Sequence, residues 1–345
     1  MGIALQTMTN ELTHVFLLSV GAFLLAMFLT PIYTFFAYRY RFWKRQRSES
    51  TDGKKLKVFA KFQAAKLRRN IPTMAGVIGV ISIFVVTIFF NLDRAQTWLP
   101  LAALVGGGIV GLIDDIINLR GLGGGAAGLR SPVKFALITL IGMVLGWFFF
   151  AKLGVASFHV PFVGEVNIGW LIVPLFAFAV VATGNAVNIS DGMDGLAGGL
   201  LGISFGAFGV IALLQQHVIL AGFCFTVVGV LLSYLWFNIY PARFFMGDVG
   251  SFAYGACLGV VAMLTDSLLL LPVIGLLFVI EAGSSLTQIV SKKLFKRKIF
   301  LSAPIHHHLE AIGWPETKVT MRFWVIGCVM AFIGVMLALA GGHIA

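Results

Sequence analysis

Ten runs of apolar residues, separated by short polar connections, follow one another along the chain. A helix needs about 20 apolar residues to cross a bilayer core of about 30 Å. The pattern therefore predicts an all-α integral membrane protein with ten transmembrane helices, and residues 1–345 are expected to form a single polytopic membrane domain. The predicted spans are residues 14–38, 72–90, 98–113, 134–151, 169–187, 195–214, 218–237, 251–265, 269–290 and 322–340.

The connections between these spans differ in charge. Successive connections alternate sides of the membrane, and those after the odd-numbered spans, together with Arg322, hold 23 of the 25 Lys and Arg residues. The opposite set holds only Arg94 and Lys152. The positive-inside rule then predicts that the basic connections are cytoplasmic and that both termini lie on the outer, periplasmic side. Two of the cytoplasmic connections are long: a basic loop at 39–71 and a histidine-containing loop at 291–321.

Composition and net charge agree with this topology. Hydrophobic residues make up 59% of the chain and charged residues 11%, against about 25% charged in a soluble domain. A net charge of +11 would favour nucleic-acid binding in a soluble protein. Here the positive-inside bias and attraction to anionic headgroups account for it. We therefore expect the lipid bilayer as a partner and no nucleic acid. The cysteines, all within apolar runs without CxxC spacing, are expected to pack in the core. They are Cys224, Cys257 and Cys328.

A few polar residues lie away from the Lys- and Arg-rich connections that are predicted to be cytoplasmic. Apolar residues alternate with others in the connection at 152–169, which predicts a small hairpin. His159 and Glu165 in this connection are expected to be solvated surface residues. Glu281 is the one acid well inside a predicted span, where it either pairs with a polar residue of its own helix or makes a structural bond to another helix. The candidates for this pairing are Ser284, Ser285 and Gln288.

Acidic, amide and histidine side chains gather near the predicted cytoplasmic ends of the spans. Such residues at membrane depth are costly and usually functional. The set comprises Asp114, Asp115, Asn185, Asn188, Asp191, Asp194, Asn238, Asp248, His306, His307 and His308. Because four different cytoplasmic connections supply them, we expect one polar site at the membrane–water boundary. Lys134 opens the fourth span at the same depth, where its ammonium group could hold a phosphate.

The residue types in this set favour phosphate and magnesium chemistry. The helix dipole disfavours acids at a helix C-terminus, so the adjacent Asp114 and Asp115 indicate a cation or another specific partner. Three consecutive histidines cannot all face one ion, and donation to phosphate fits them better than a zinc site. Several carboxylates without thiolates suit Mg²⁺ held by few protein oxygens and by substrate phosphates.

Five strings of this sequence resemble, in order, the signature segments of one enzyme family. They are IPTMAG, GLIDD, NAVNISDGMDGLA, WFNIYPARFFMGDVGS and APIHHHLEAIGWPETKVTMRFW, between about residues 72 and 324. They resemble the phospho-N-acetylmuramoyl-pentapeptide-transferases (the MraY translocases) of the polyprenyl-phosphate N-acetylhexosamine-1-phosphate transferase superfamily. The resemblance implies a multi-pass protein of the bacterial inner membrane, a homodimer and a Mg²⁺-dependent enzyme. The implied reaction transfers phospho-MurNAc-pentapeptide from UDP-MurNAc-pentapeptide to undecaprenyl phosphate. Its products are UMP and lipid I, a precursor in peptidoglycan biosynthesis.

The resemblance also implies roles for individual residues. Asp248 matches the metal-binding aspartate, and Asp114 and Asp115 match an essential acidic pair. Lys134 and His307 are expected to act with them in catalysis. The residues expected to bind substrate are Asn185, Asn188, Asp191, Asp194, Asn238, Gln288, His306 and His308. This chain departs from the family pattern at Asn118 and in GLRSPVK, so contacts made there by relatives are not carried over.

The residues leave alternatives in mechanism and function. Asp114 or Asp115 could orient or deprotonate the attacking lipid phosphate, or one could be a nucleophile in a two-step reaction through an aspartyl phosphate. A sister enzyme would transfer GlcNAc-1-phosphate to the same lipid carrier, but the HHH, GWPE and RFW strings favour the muramoyl substrate. A transporter would need polar residues near mid-bilayer that open to both sides. This chain keeps nearly all of them at one face.

Overall fold

The computed structural model describes residues 2–43, 70–121 and 128–342. This part of the chain is helical apart from one hairpin. Its helices are α1 Gly2–Arg39, α2 Gly76–Phe90, α3 Trp98–Arg120, α4 Ser131–Leu153, α5 Ile172–Ser190, α6 Leu196–Leu214, α7 Val218–Asn238, α8 Gly247–Leu264, α9 Leu271–Ile274, α10 Leu276–Leu294, α11 Ile305–Ala311 and α12 Glu316–Ala340. Short 3₁₀ turns, Gly169–Leu171 and Leu268–Leu270, precede α5 and α9.

Most of these helices can cross a membrane. Within the described ranges, eight are long and apolar enough, namely α1, α3 to α8 and α12. A ninth candidate span is the pair α9 and α10, which is bent by 81° at Gly275. Helix α2 is apolar but has only 15 residues. The prediction of an all-α, multi-pass membrane protein is thus confirmed, while the count of ten spans stays a prediction.

Several helices begin or end away from the predicted boundaries. Helix α3 continues to Arg120, where Gly121 (φ 68°) ends it in the left-handed conformation. Asp114 and Asp115 therefore lie inside a helix and not in the connection predicted to begin at residue 114. The predicted loop at 291–321 contains helix α11 and the start of α12. Most of the predicted basic loop at 39–71, residues 44–69, lies outside the described residues.

Helix α8 is the most buried of the eight span candidates and packs against α2, α3 and α5. Small residues allow this close packing, as they do in other membrane helix pairs. A Cβ atom at Gly107 would meet the backbone of Phe252 at 2.6 Å, and one at Gly111 would meet the backbone at Asp248 and Val249. The position of α8 is therefore set largely by direct contact with the backbone of its neighbours.

A hairpin joins α4 to α5, as predicted. Strands β1 Ser157–Val160 and β2 Gly164–Asn167 are antiparallel, and His159 lies opposite Glu165. The Glu165 side chain is 56% exposed, as expected. The prediction that His159 is a solvated surface residue is wrong. It is only 8% exposed, because its ring packs beneath the end of α12 and Nε2 lies 2.8 Å from the Gly341 carbonyl oxygen.

The burial of each cysteine depends on how its helix packs. Cys224 in α7 and Cys257 in α8 are buried, as predicted for core residues, and both are free thiols. Cys328 is also a free thiol, but it is exposed, so the core prediction is wrong for this residue. The reason is the peripheral position of α12, in which only 22% of the most apolar window is buried. Much of α12 therefore faces outward, towards the surrounding lipid.

Candidate active site

Three charged side chains from three helices meet at one end of the bundle. Asp114 belongs to the last two turns of α3, whereas Lys134 and Asp248 lie in the first turns of α4 and α8. The Lys134 Nζ atom is 3.2 Å from Asp114 Oδ2 and 3.4 Å from Asp248 Oδ2. The two carboxyl groups also interact directly with each other. The structure thus brings together three of the residues that were expected to share one polar site.

This cluster is mostly buried but is not sealed. The side chains of Lys134 and Asp248 are 14% and 13% exposed, and that of Asp114 is 4% exposed. The Leu129 N–H group donates a hydrogen bond to Asp114 Oδ1. Two carboxylates share one ammonium group, so the cluster carries excess negative charge. Buried charge of this kind is stable only when a cation or hydrogen bonds compensate it, which suits the site to a divalent cation.

Asp115 faces a different direction from Asp114. It is fully buried, and its Oδ2 accepts a hydrogen bond of 3.1 Å from the Val249 N–H group in the first turn of α8. It also lies against Gly247, whose φ of 73° begins this helix. A carboxylate at a helix N-terminus is favoured by the helix dipole. Asp115 therefore fixes the start of the helix that carries Asp248, while Asp114 contacts Lys134.

The two asparagines of α5 bind different partners. The Asn188 Nδ2 atom donates to Ser251 Oγ over 2.8 Å, and Ser251 Oγ donates to the Asp248 carbonyl oxygen over 3.4 Å. Asn188 thus joins α5 to the helical turn that presents Asp248. The Asn185 side chain instead donates to the Val181 carbonyl oxygen of its own helix, over 2.8 Å.

Asp194 and Asn238 cross-link the loops beside the site. Asp194 Oδ2 accepts a 3.0 Å bond from the Ala242 N–H group, and Asn238 Oδ1 accepts a 2.9 Å bond from the Gly195 N–H group. Both residues are nearly fully buried, so their polar atoms brace loop backbone. By contrast, Asp191 at the end of α5 is partly exposed.

Helix α12 completes this bracing. Glu316 Oε1 accepts a 2.6 Å hydrogen bond from the Asp194 N–H group, and Thr320 Oγ1 donates to the Asp194 carbonyl oxygen over 3.2 Å. Sequence reasoning did not single out Glu316. The sequence signal for it was the Pro315–Glu316 pair, because proline at a helix start and an acid in the first turn are typical of helix N-termini.

The three histidines have different hydrogen-bond partners, although the ring centroids of His306 and His307 are only 4.2 Å apart. His306 is fully buried, with Nδ1 2.7 Å from Glu281 Oε2, and its ring packs on Gly192. His307 Nδ1 lies 3.2 Å from Glu310 Oε2. His308 Nδ1 accepts a 3.3 Å hydrogen bond from the Leu301 N–H group. Successive residues of a helix project about 100° apart, so this divergence follows from the helical conformation of α11.

For Glu281 the structure shows the interhelical bond, one of the two alternatives that the sequence left open. Its carboxylate binds His306 and not a residue of its own helix, because α11 packs against α10 and brings the ring within reach. Ser284 Oγ donates to the Glu281 backbone oxygen over 2.8 Å and accepts a 2.9 Å hydrogen bond from the Ile305 N–H group. The Gln288 side chain also forms its hydrogen bonds with nearby backbone. Its Oε1 accepts bonds from the Ile299 and Phe300 N–H groups, at 3.0 and 3.1 Å, so it shapes the turn after α10.

The oxygen atoms of this cluster fit a magnesium ion. Mg²⁺ prefers carboxylate oxygens and keeps several positions for water or substrate phosphates. Asp248 supplies a partly exposed carboxylate, and Asp114 supplies a second one beside it. The Asp115 Oδ2 atom is already bound to the backbone of α8. Asp248, with Asp114 next to it, is the residue that would hold the ion.

Comparisons with known proteins show that nearly the whole chain is similar to one kind of enzyme. The family profile described as Glycosyl transferase family 4 matches residues 97–266, which include Asp114, Lys134 and Asp248. Phospho-N-acetylmuramoyl-pentapeptide-transferases from Chloroflexus aggregans and Chloroflexus aurantiacus are each 38% identical over 99% of this chain and 94% of their own length. The enzyme of that name from Geobacillus thermodenitrificans is 36% identical, over 91% of this chain and 94% of its own length. The similarity therefore extends through the histidine helix α11.

Proposed function

This chain belongs to the phospho-N-acetylmuramoyl-pentapeptide-transferase family, and on that premise we propose that it transfers phospho-MurNAc-pentapeptide from UDP-MurNAc-pentapeptide to undecaprenyl phosphate. The products are lipid I and UMP. The observation that carries this proposal is the cluster of Asp114, Lys134 and Asp248, in which three helix ends supply the charges that phosphate chemistry requires. Both substrates carry phosphate groups, one on a soluble nucleotide and one on a lipid. A polar cluster at the end of a membrane bundle suits that pairing.

In the proposed reaction, the chain positions two anionic groups against each other. A phosphate monoester has its second pKa near 6, so the lipid phosphate is largely a dianion at pH 7 and needs little help from a base. One of its oxygens forms a bond to the sugar-linked phosphorus of the donor. The bond from that phosphorus to the UMP oxygen breaks, and UMP leaves with the electron pair. Lys134 would hold phosphate oxygens, and Asp114 would orient the ammonium group of Lys134.

We further propose that Asp248 holds a Mg²⁺ ion, with Asp114 beside it. The bound ion would neutralise negative charge on the phosphates as UMP leaves. Asp115 fixes the first turn of α8 and thereby positions Asp248. His307, Asn185 and Asp191, which are partly exposed, are the residues best placed to contact the substrate. Buried Asp194, Asn238 and Gln288 brace loop backbone, and His306 links α11 to α10.

The proposed setting is the bacterial inner membrane, with ten spans and both termini outside. The charge bias of the connections supports this orientation, since the ends of α3, α4 and α8 that form the cluster adjoin connections of the set that, with Arg322, holds 23 of the 25 Lys and Arg residues. The cluster would then face the cytoplasm, where a nucleotide donor is available. A homodimer is the proposed assembly, on the family resemblance, and light scattering of the detergent-solubilised protein would measure its mass.

The test is release of UMP by the purified full-length chain, given both substrates with Mg²⁺ or with EDTA. We expect release that requires Mg²⁺, the UDP donor and the lipid phosphate together. Asp248→Ala should abolish it, whereas Asp93→Asn, at the opposite end of α3, should leave it within about twofold of the unmodified chain. Release with UDP-GlcNAc but not with UDP-MurNAc-pentapeptide would move the protein to the sister reaction. No release with either donor from well-folded protein would reject the proposal.

A further inference from the structure

A second cluster of ionisable groups lies at the other end of α8 from Asp248. His159 and Glu165 belong to the hairpin strands, and Asp266 follows the C-terminus of α8. One ligand atom from each lies within 4.8 Å of one from each of the others. The backbone N–H group of His159 donates to Asp266 Oδ1 over 2.9 Å, and the two carboxyl groups also contact each other. An 18-residue helix is about 27 Å long, so this cluster is separate from the candidate active site.

The His159 ring is oriented as a metal ligand would be. Its Nε2 atom lies 2.8 Å from the Gly341 carbonyl oxygen, so Nε2 carries the proton and donates it there. In the neutral ring, Nδ1 then has a lone pair, and this atom faces Glu165. Metal-binding histidines usually donate their second N–H group to a carbonyl or carboxylate in this way. The ring is also held in place, since it is only 8% exposed.

The spacing of the donor atoms favours coordination over a simple hydrogen bond. His159 Nδ1 and Glu165 Oε1 are 3.6 Å apart, longer than a normal N–H to oxygen hydrogen bond of about 3.2 Å at most. Two ligands of a tetrahedral zinc ion, each about 2.1 Å from the metal, are about 3.4 Å apart. Glu165 and Asp266 also place two carboxyl groups in contact, and like charges in contact require a proton or a cation between them.

We propose that His159, Glu165 and Asp266 form a binding site for a divalent transition-metal ion of the zinc class. His159 Nδ1 and one oxygen from each carboxylate would be the protein ligands, and water would complete the shell. An imidazole together with two carboxylates suits Zn²⁺ better than Mg²⁺, which prefers oxygen ligands. The Glu165 side chain is 56% exposed, so an ion can enter from solvent.

A metal ion here would act as a clamp between three parts of the chain. The hairpin supplies two of its ligands, the turn after α8 supplies the third, and the His159 ring also holds the Gly341 carbonyl oxygen at the end of α12. Phe162 adds a second link from the hairpin, because its N–H group donates to the same carbonyl oxygen over 3.2 Å. Binding should therefore stabilise the fold without changing the reaction.

The experiment is a zinc titration of the full-length protein in detergent, after treatment with EDTA and removal of the chelator. Isothermal titration calorimetry gives the affinity and the number of ions, and a thermal melt with and without ZnCl₂ gives the stabilisation. The variants are His159→Ala and Glu165→Gln, with His217→Ala as the matched control, because His217 is an exposed histidine of another connection. Zinc bound by the histidines of α11 contributes equally to every sample.

We expect His159→Ala to lose one zinc equivalent and its part of the thermal stabilisation. Glu165→Gln replaces an exposed carboxylate with an isosteric amide, so it should fold normally while binding this zinc at least tenfold more weakly. His217→Ala should behave like the unmodified protein. If folded Glu165→Gln binds the same number of zinc ions with unchanged affinity, the site is an ion pair only and the proposal is wrong. If Mg²⁺ at the same concentration as Zn²⁺ also fills the equivalent that His159→Ala loses, the proposal is likewise wrong.

Discussion

Gly111→Ala should inactivate this protein by adding a single methyl group. Gly111 lies in α3 three residues before Asp114, and its Cα faces the first turn of α8. A Cβ atom there would be 2.5 Å from Val249 N and closer still to the Asp248 carbonyl oxygen. Non-bonded atoms prefer about 3.5–4.0 Å, so α8 must move away by about 1 Å. Because backbone atoms make the contact, no side-chain rotation can relieve it.

The displacement acts on the residue proposed to hold the metal. Overpacking of this kind costs about 1–3 kcal/mol of stability, and a misplacement of about 1 Å at a reacting centre can cost about 100-fold in rate. We therefore expect UMP release to fall about 100-fold while the melting temperature falls by only a few degrees. The melt separates this loss of geometry from loss of folding.

Two alanine substitutions serve as controls. At Gly108, one turn earlier in α3, a Cβ atom would be 3.3 Å from a Val80 methyl group that can shift. At Gly202 in α6, a Cβ atom would meet nothing within 4 Å. Both variants should keep activity within about threefold, since alanine favours the helix over glycine. If Gly111→Ala retains activity within threefold as well, the position of Asp248 is not set by the contact between α3 and α8.

Five further substitutions test the site and the residues that support it. Lys134→Gln removes the ammonium group between two carboxylates, so UMP release should fall by about 100-fold; release within threefold of the unmodified chain would contradict this. Asp115→Ala should lower both melting temperature and turnover because it frees the start of α8, whereas Asp114→Ala should lower turnover with less effect on the melt. Glu281→Ala leaves His306 buried without its carboxylate and should cost about 3–5 kcal/mol in thermal or denaturant unfolding, with Ser285→Ala as the nearly neutral control. Asn238→Ala should cost about 1–3 kcal/mol for each backbone group that it leaves unpaired, and an unchanged melt would show that water replaces the amide.

The sequence was sufficient to predict the long apolar helices and the meeting of several polar residues at one end of the bundle. Apolar runs of about 20 residues leave little choice of element in a bilayer, because every backbone polar group must be paired within the segment. The parity of the connections then brought Asp114, Lys134 and Asp248 to one end. The bend at Gly275 escaped prediction, since the apolar residues continue through it without interruption.

The division of roles among neighbouring residues could not be read from the sequence. Asp114 and Asp115 are chemically identical, and only the packing of α8 on α3 decides which of them meets Val249 and which meets Lys134. The three histidines diverge because α11 is a helix, which the preceding Pro304 did not reveal. Glu281 and His306 lie 25 positions apart, so their pairing depends on how α10 and α11 fold back on each other.

The cross-links to Asp194 have a consequence for the order of assembly during synthesis. The loop between α5 and α6 donates a hydrogen bond to Glu316 and accepts hydrogen bonds from Thr320 and Trp324, all of them in α12. A ribosome delivers these residues about 120 positions after the loop that they bind. During that interval the growing chain has inserted most of its spans while this loop lacks its final partners. The chain therefore reaches its finished form only when its last helix docks, and a nascent chain stalled before α12 would be membrane-bound but unfinished.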